Sequence, residues 1–290
     1  MEQSYTIFSD ISADIPASYA KENDIRFIAM QYTLGDEDRV CTGIEEEEVL
    51  KRFYDGQRGG DMTRTSQISP QIYMDIFAPV LESGEDILYL SLSSGLSSTY
   101  QSSCLAAEQL KERFPDRKIV CVDSLAATGG MGLLLEKAVL NRARGMSVTE
   151  SGRWLEENRQ RVCHWFMVED LMYLKRGGRV SAATAVVGAA LNIKPILKIE
   201  EDGTLKNFAK TRGVKRALEA LLEHYEAASE KEEEERIYVL HADAPENADY
   251  LEERVKQINP RCNVTKMMLS PIIGAHTGPG MCAVVHFGER

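Results

Sequence analysis

Short apolar runs separated by amphipathic stretches set the rhythm of the first half of the chain. "YTIFSD" (5–10) and "IRFIAMQYTL" (25–34) read as strands, with a helix entered at Pro16 between them. "IEEEEVLKRFYDG" (44–56) reads as a helix whose acidic run sits in the first turn, where the helix dipole favours it. "TRTSQISP" (63–70) is a loop that enters the next helix at Ser69-Pro70. "DILYLSL" (86–92) and "KIVCVDS" (118–124) are strands. Between them lies a helix over 98–114, with Tyr100, Cys104, Ala107, Leu110 and Phe114 spaced for one face. A long helix, "GGMGLLLEKAVLNRARG" (129–145), follows. Strands alternating with helices over short links predict a parallel α/β sheet.

After the polar helix "SVTESGRWLEENRQR" (147–161) the pattern changes. "CHWFMVED", "KPILKIEEDGTLKNFAKT", "RIYVLHAD", "VTKMMLSP" and "CAVVHFG" read as strands, and "EEDGTL" as a hairpin turn. "GVKRALEALLEHYEAAS" and "NADYLEERVKQI" read as helices. The expected fold class is α/β: a parallel α/β domain over 1–162, then an α+β mixed-sheet domain over 163–290.

Composition narrows the function classes. The net charge of −11, from 34 basic and 45 acidic residues, argues against nucleic acid, which needs a basic face. No apolar run reaches the length of a membrane span, and the N-terminus is too polar for a signal peptide, so a cytoplasmic protein is expected. The six cysteines form no C-x-x-C pair and read as reduced thiols in apolar surroundings. No metal-ligating spacing, phosphate-binding loop or dinucleotide fingerprint is present. Asp10 and Asp14 in "FSDISADIP" read as caps of the following helix rather than as a metal pair.

Four polar motifs remain. "SLSSGLSSTYQSS" (91–103) places Ser93, Ser94, Ser97, Ser98 and Thr99 at a strand-to-helix junction. An ordinary helix cap, an anion cradle and a serine nucleophile all predict such a stretch. A nucleophile elbow would read G-x-S-x-G, and Gly95-Leu96-Ser97-Ser98-Thr99 lacks its last glycine. A nucleophile also needs a histidine base. Among the five histidines, His164, His241 and His286 fall in strands, His224 on a helix, and His276 in the glycine-rich loop "GAHTGPG". "TRTSQISP" adds the neutral hydrogen-bonding groups of Thr63, Thr65, Ser66 and Gln67. "LKRGGR" gathers Lys175, Arg176 and Arg179 around a turn, the one basic cluster and an anion candidate.

In this order, "SDISADIP", "TSQISP", "SLSSGLSSTYQS", "VDSLAATGG", "YLKRGGRVS", "LNIKPIL" and "GAHTGPG" resemble the DegV family of bacterial fatty-acid-binding proteins. The resemblance implies two α/β domains with an elongated apolar tunnel between them and one bound fatty acid. It also implies a non-catalytic role, as the acyl-binding subunit of a fatty acid kinase. That partner would supply ATP and Mg²⁺ and phosphorylate the carboxylate, and the acyl phosphate would feed phospholipid synthesis. Carried over residue by residue, the carboxylate would be held by Thr65, Ser97 and His276, with Ser93, Ser94 and Ser98 beside them. Arg176, with Arg179 nearby, would serve the kinase partner. Two departures stand out. "SDISADIP" replaces the usual D-S-T/S-D-I-P, and Ser98 stands where the family usually has glycine, which would narrow the carboxylate end.

The energetics suit such a role. Each buried methylene contributes about 0.8 kcal/mol, so the chain of the ligand can supply the affinity. The polar end then only has to leave no carboxylate unsatisfied. "GGMGLLLEKAVL" and "AATAVVGAALNI" could line the tunnel or simply fill the core. Two other readings stay open here: a serine esterase or acyltransferase using Ser97 and His276, and a binder of a phosphorylated metabolite using "LKRGGR".

Overall fold

The computed structural model describes residues 5–43, 46–181, 192–230 and 234–290. Strand β1 (Tyr5–Asp10) leads through helix α1 (Ala17–Glu22) to β2 (Ile25–Ile28). The chain then leaves that sheet. β3 (Met30–Leu34), β4 (Glu37–Cys41) and, after helix α2 (Glu47–Gly59), β5 (Thr63–Thr65) form a small antiparallel sheet of order β4-β3-β5. Helix α3 (Pro70–Glu82) returns to β6 (Asp86–Ser91), and helix α4 (Thr99–Arg113) leads to β7 (Ile119–Asp123). The four parallel strands are ordered β2-β1-β6-β7. β1 and β6 are buried at every position, as central parallel strands covered on both faces must be.

Helices α5 (Gly129–Ala143) and α6 (Val148–Asn158) follow, α6 opened by a reciprocal Ser147/Glu150 capping box. A short 3₁₀ turn then delivers β8 (Val162–Met167) and helix α7 (Met172–Arg176). β9 (Ile193–Ile199) and β10 (Leu205–Arg212) form the expected hairpin. Helix α8 (Val214–Ala228), β11 (Arg236–His241), α9 (Pro245–Ile258), β12 (Asn263–Met268), α10 (Pro271–Thr277) and β13 (Cys282–Phe287) complete the chain. The six-stranded sheet is mixed, in the order β10-β9-β8-β13-β11-β12.

Helix α5 ties the halves together. One continuous core runs from Ile7 and Leu88 through Leu134 to Tyr238 and Val285. Gly130 is what lets α5 lie so close to β8. A Cβ there would overlap the His164 ring and meet Val162 Cγ1 at 3.0 Å. A second core on the other face of the mixed sheet holds Trp165, Leu221, Val239 and Leu251. Among the described residues no helix is long and apolar enough to cross a membrane.

The structure corrects several local expectations. "IRFIAMQYTL" is two strands in two different sheets, broken at Ala29, because the apolar run continues past the sheet edge. Helix α4 buries Thr99, Ser102, Ser103, Ala106 and Leu110, a face rotated from the apolar one, while Leu105 is exposed. Small hydroxyls fit against the sheet, and the Ser103 hydroxyl satisfies itself on Tyr100 O at 2.7 Å. β4, β5 and α7 were not legible as elements. Of the two tunnel candidates, the segment 129–140 forms the first turns of α5, with Met131, Leu133, Leu134 and Leu135 fully buried in the core. Positions 182–191 of "AATAVVGAALNI" lie outside the described residues.

Candidate functional site

The carboxyl ends of β2, β6 and β7 open onto a cavity of about 480 Å³, a size typical of small-ligand sites. Ligands of open α/β sheets characteristically bind beyond these strand ends. Its opposite wall is the inner face of the mixed sheet, where Phe166, Ile199, Ala283 and Val285 alternate inward along their strands. Helix α10 closes one side with Ile272 and Ile273. The wall is therefore largely apolar, and most of its polar groups are gathered from three segments.

The first segment is the serine turn between β6 and α4. Asp10 and Asp123 brace it: Leu92 N–H donates to Asp10 Oδ2 at 2.9 Å, and Ser94 N–H to Asp123 Oδ1 at 3.0 Å. Asp10 therefore holds the turn instead of capping α1. Ser94, Ser97 and Ser98 line the cavity. The Ser97 and Thr99 hydroxyls pair at 2.7 Å, and Ser97 Oγ accepts the Thr99 N–H at 3.3 Å. Ser98 precedes the helix yet makes no capping hydrogen bond. Ser93 is not among the cavity-lining residues. Its buried hydroxyl donates to Gly203 O at 2.8 Å and pins the β9–β10 hairpin turn to this loop.

The second segment is β5 and the residues after it. Thr65, Ser66 and Gln67 line the cavity. The third is α10, which carries His276. The sequence reads this stretch as a glycine-rich loop, but Pro271 starts a short helix and Gly278, at φ 71°, ends it. Thr63 Oγ1 donates to Ala275 O at 2.9 Å, and Gln57 Nε2 to Gly274 O at 3.0 Å, so α2 and β5 hold the helix in place. Asp14 serves the same end. It accepts the Ser270 N–H at 2.9 Å and the Thr128 hydroxyl at 2.5 Å, joining the starts of α10 and α5.

Thr65 and His276 meet directly: Thr65 Oγ1 lies 2.7 Å from His276 Nε2. Burial, reinforced by the positive charge of Arg179, lowers the His276 pKa to about 3, so the imidazole is neutral near pH 7. Its Nδ1 is buried without a hydrogen-bond partner and abuts Gly177. A bare lone pair there costs less than an orphaned N–H. We therefore assign the proton to Nε2, which donates to Thr65 Oγ1. The Thr65 hydroxyl hydrogen is then available to the cavity.

Of the basic cluster, the structure separates the two arginines. Arg176 is exposed, its guanidinium 5.7 Å from the Tyr173 ring centroid. Arg179 turns inward and lines the cavity. Its Nε donates to Leu96 O at 3.1 Å and its Nη1 to Gly177 O, and burial lowers its pKa. The serine turn and the "LKRGGR" turn are thus clasped by one cation. Sequence reasoning placed Arg179 with Arg176, since the glycine pair says that the turn is tight but not which way each side chain leaves it. Among residues it did not single out, Thr128 and Met30 also line the cavity.

Comparison with known proteins agrees with the family resemblance. A family model described as "Uncharacterised protein, DegV family" matches residues 4–289. A DegV domain-containing protein of Clostridium perfringens is 38% identical over 285 residues, covering 98% of each chain. A solved structure from Thermus thermophilus, titled for the fatty acid binding of a DegV family protein, superposes with TM-score 0.87 at 27% identity. It covers 98% of this chain and 99% of its own. DegV of Bacillus subtilis, described as a fatty acid binding protein, gives TM-score 0.84 at 27% identity over 99% and 100%.

Proposed function

The chain belongs to the DegV family, and from that premise we propose that it binds one long-chain fatty acid in this cavity. The acyl chain lies along the apolar inner face of the mixed sheet. The carboxylate meets Thr65, Ser97, Ser98 and His276, with Ser94 alongside. Ser93 contributes by fixing the turn. Arg179 supplies a positive field at the head group without leaving its backbone partners, which raises the gain over a wholly neutral clamp.

The observation that carries this reading is the Thr65–His276 pair, which lines the same largely apolar cavity as Ser97. The same pairing speaks for Ser97 as a ligand-binding group. His276 Nε2 is engaged with Thr65, and the Ser97 hydroxyl with Thr99. An esterase mechanism would need His276 on Ser97.

The protein then acts as a carrier. It presents the carboxylate to a kinase subunit that brings ATP and Mg²⁺, and the acyl phosphate passes to phospholipid synthesis. Exposed Lys175 and Arg176 on α7 offer the docking charge for that subunit, close to the head-group end. The division into domains at 162/163 belongs to the same reading; it falls at the first residue of β8, with the cavity at the junction. The test is lipid content. Thr65→Ala and Ser97→Ala should each purify with several-fold less fatty acid than wild type, at unchanged secondary structure. Undiminished lipid in both variants overturns the head-group assignment.

A further inference from the structure

The hairpin between β9 and β10 reaches past the strand that supports it. β8 pairs with β9 from Met167↔Ile196 to Trp165↔Lys198, so residues 199–205 overhang β8. This tip is a closed turn: Gly203 N–H donates to Glu200 O and Glu200 N–H to Thr204 O, each at 2.9 Å. Ile199 and Leu205, at its base, line the cavity, while Glu201 and Asp202, at its end, are exposed. Across a seam lies the serine turn. Gly95 lines the cavity and is also exposed, and a Cβ on it would lie 2.6 Å from Gly203 C. The seam between Gly95 and Gly203 therefore runs from solvent to the cavity.

Hydrogen bonds hold the tip in place. Ser93 Oγ donates to Gly203 O at 2.8 Å, Gln160 Nε2 to Glu201 O at 2.8 Å and Arg290 Nη1 to Glu200 O at 3.0 Å. Arg290 is the hub. Its Nε donates to Val162 O at 2.7 Å, its Nη1 also to Gln160 Oε1 at 3.1 Å, and its Nη2 to Leu125 O at 2.8 Å and Arg159 O at 3.3 Å. All five guanidinium hydrogens are in use. One side chain thus joins the hairpin tip, the 159–162 link and the turn before α5. In that turn Leu125 has φ 47°, and Ala127 and Thr128 beyond it line the cavity. Left-handed backbone at a leucine persists only where its surroundings enforce it, and the captured Leu125 carbonyl does so here. β10 also carries a bulge, a register shift between Asn207 and Ala209, where the hairpin can bend.

Resting on the fatty-acid reading above, we propose that the seam between the hairpin tip and the serine turn is the portal through which the fatty acid enters and leaves, and that Arg290 is its latch. Arg290 is a positioning residue, since it is not among the cavity-lining residues. When its hydrogen bonds part, the tip swings about the bulge, away from Gly95 and Leu125, and uncovers the apolar wall at Ile199 and Leu205. The latch closes over the empty and the loaded cavity alike. Weakening it therefore speeds entry and exit by the same factor and leaves the affinity as it was.

cis-Parinaric acid, a fluorescent fatty acid, is the probe, used on the delipidated protein. Stopped-flow mixing reads association, transfer to excess albumin reads dissociation, and equilibrium titration gives Kd. Arg290→Gln should raise both rates at least about fivefold, the change that one lost hydrogen bond brings, with Kd within about twofold of wild type. Gln160→Ala, at an exposed position, removes the Glu201 tie and one Arg290 acceptor and should shift both rates the same way. If Arg290→Gln fails to fold, Gln160→Ala decides alone. Unchanged rates, whatever happens to Tm, overturn the latch, and so does a Kd weakened by as much as dissociation quickens. A native protein that takes up no parinaric acid overturns the fatty-acid reading and the portal with it.

Discussion

Replacing Gly177 by alanine should disable the head-group site without substituting any residue that contacts the ligand. Gly177 has φ −71°, so alanine fits its backbone without strain. The obstacle is the added Cβ. It would overlap His276 Nδ1 and lie 3.1 Å from Cε1 and 3.3 Å from Cγ. To restore heavy-atom contact near 3.5 Å the ring must retreat by roughly an ångström. The 2.7 Å Thr65–His276 hydrogen bond stands in the direction of that retreat and does not survive it in good geometry. Losing this bond and leaving a buried partner unpaired costs about 1–3 kcal/mol, or roughly 5- to 150-fold in fatty-acid affinity. Gly178 is the control. It sits at φ 74° with nothing within 4 Å of a built Cβ, so Gly178→Ala strains the backbone by about 1–2 kcal/mol but leaves His276 alone. Calorimetric titration of the delipidated proteins with a long-chain fatty acid separates the two. Weak binding by Gly177→Ala beside near-native binding by Gly178→Ala is the expected result. The reverse order would refute the argument.

Two further predictions follow from exposure and from buried charge. Arg176→Ala should keep its lipid but lose phosphorylation of the bound fatty acid in a reconstituted kinase assay, whereas lost lipid would place Arg176 in the pocket. His164, at about 3, takes up its proton only on unfolding, so stability falls as pH drops from the usual 6.5 toward 3. Asp14, raised to about 6 by burial, is protonated in the fold above its usual 3.8, so it opposes that loss between about 6 and 3.8. His164→Gln should therefore flatten, and Asp14→Asn steepen, the decline of the unfolding free energy with acidification between pH 6 and 4, each by up to ~1.4 kcal/mol per pH unit, measured by denaturant titration. Shifts of both slopes in the same direction would contradict these assignments.

The parallel sheet was legible because β6 carries the apolar run Ile87–Leu90, β1 the apolar Ile7-Phe8 pair, and the helices between strands carry entry signals at Pro16 and Ser69-Pro70. The site was legible as a set of segments and not as an arrangement. Thr65 and His276 are 211 residues apart, and no local pattern says that they touch. Ser93 and Ser97 are the same residue type in the same turn. Only the tertiary contact with Gly203 turns the first away from the cavity. Arg176 and Arg179 likewise look alike in "LKRGGR", and their opposite directions depend on the carbonyls of Leu96 and Gly177 that capture Arg179. The face of α4 was misread because helical periodicity weighs apolar side chains. Here small hydroxyls pack against the sheet, that of Ser103 satisfied by the backbone carbonyl of Tyr100 and that of Thr99 by the Ser97 hydroxyl.

The most direct test of the central claim is mass spectrometry of the purified protein, first native and then after solvent denaturation. The account predicts a native mass excess of a few hundred daltons, the rough size of one long-chain fatty acid, that disappears on denaturation and is recovered as free lipid. A bare native chain that takes up no fatty acid when one is supplied would contradict it, and so would an adduct on Ser97 that survives denaturation.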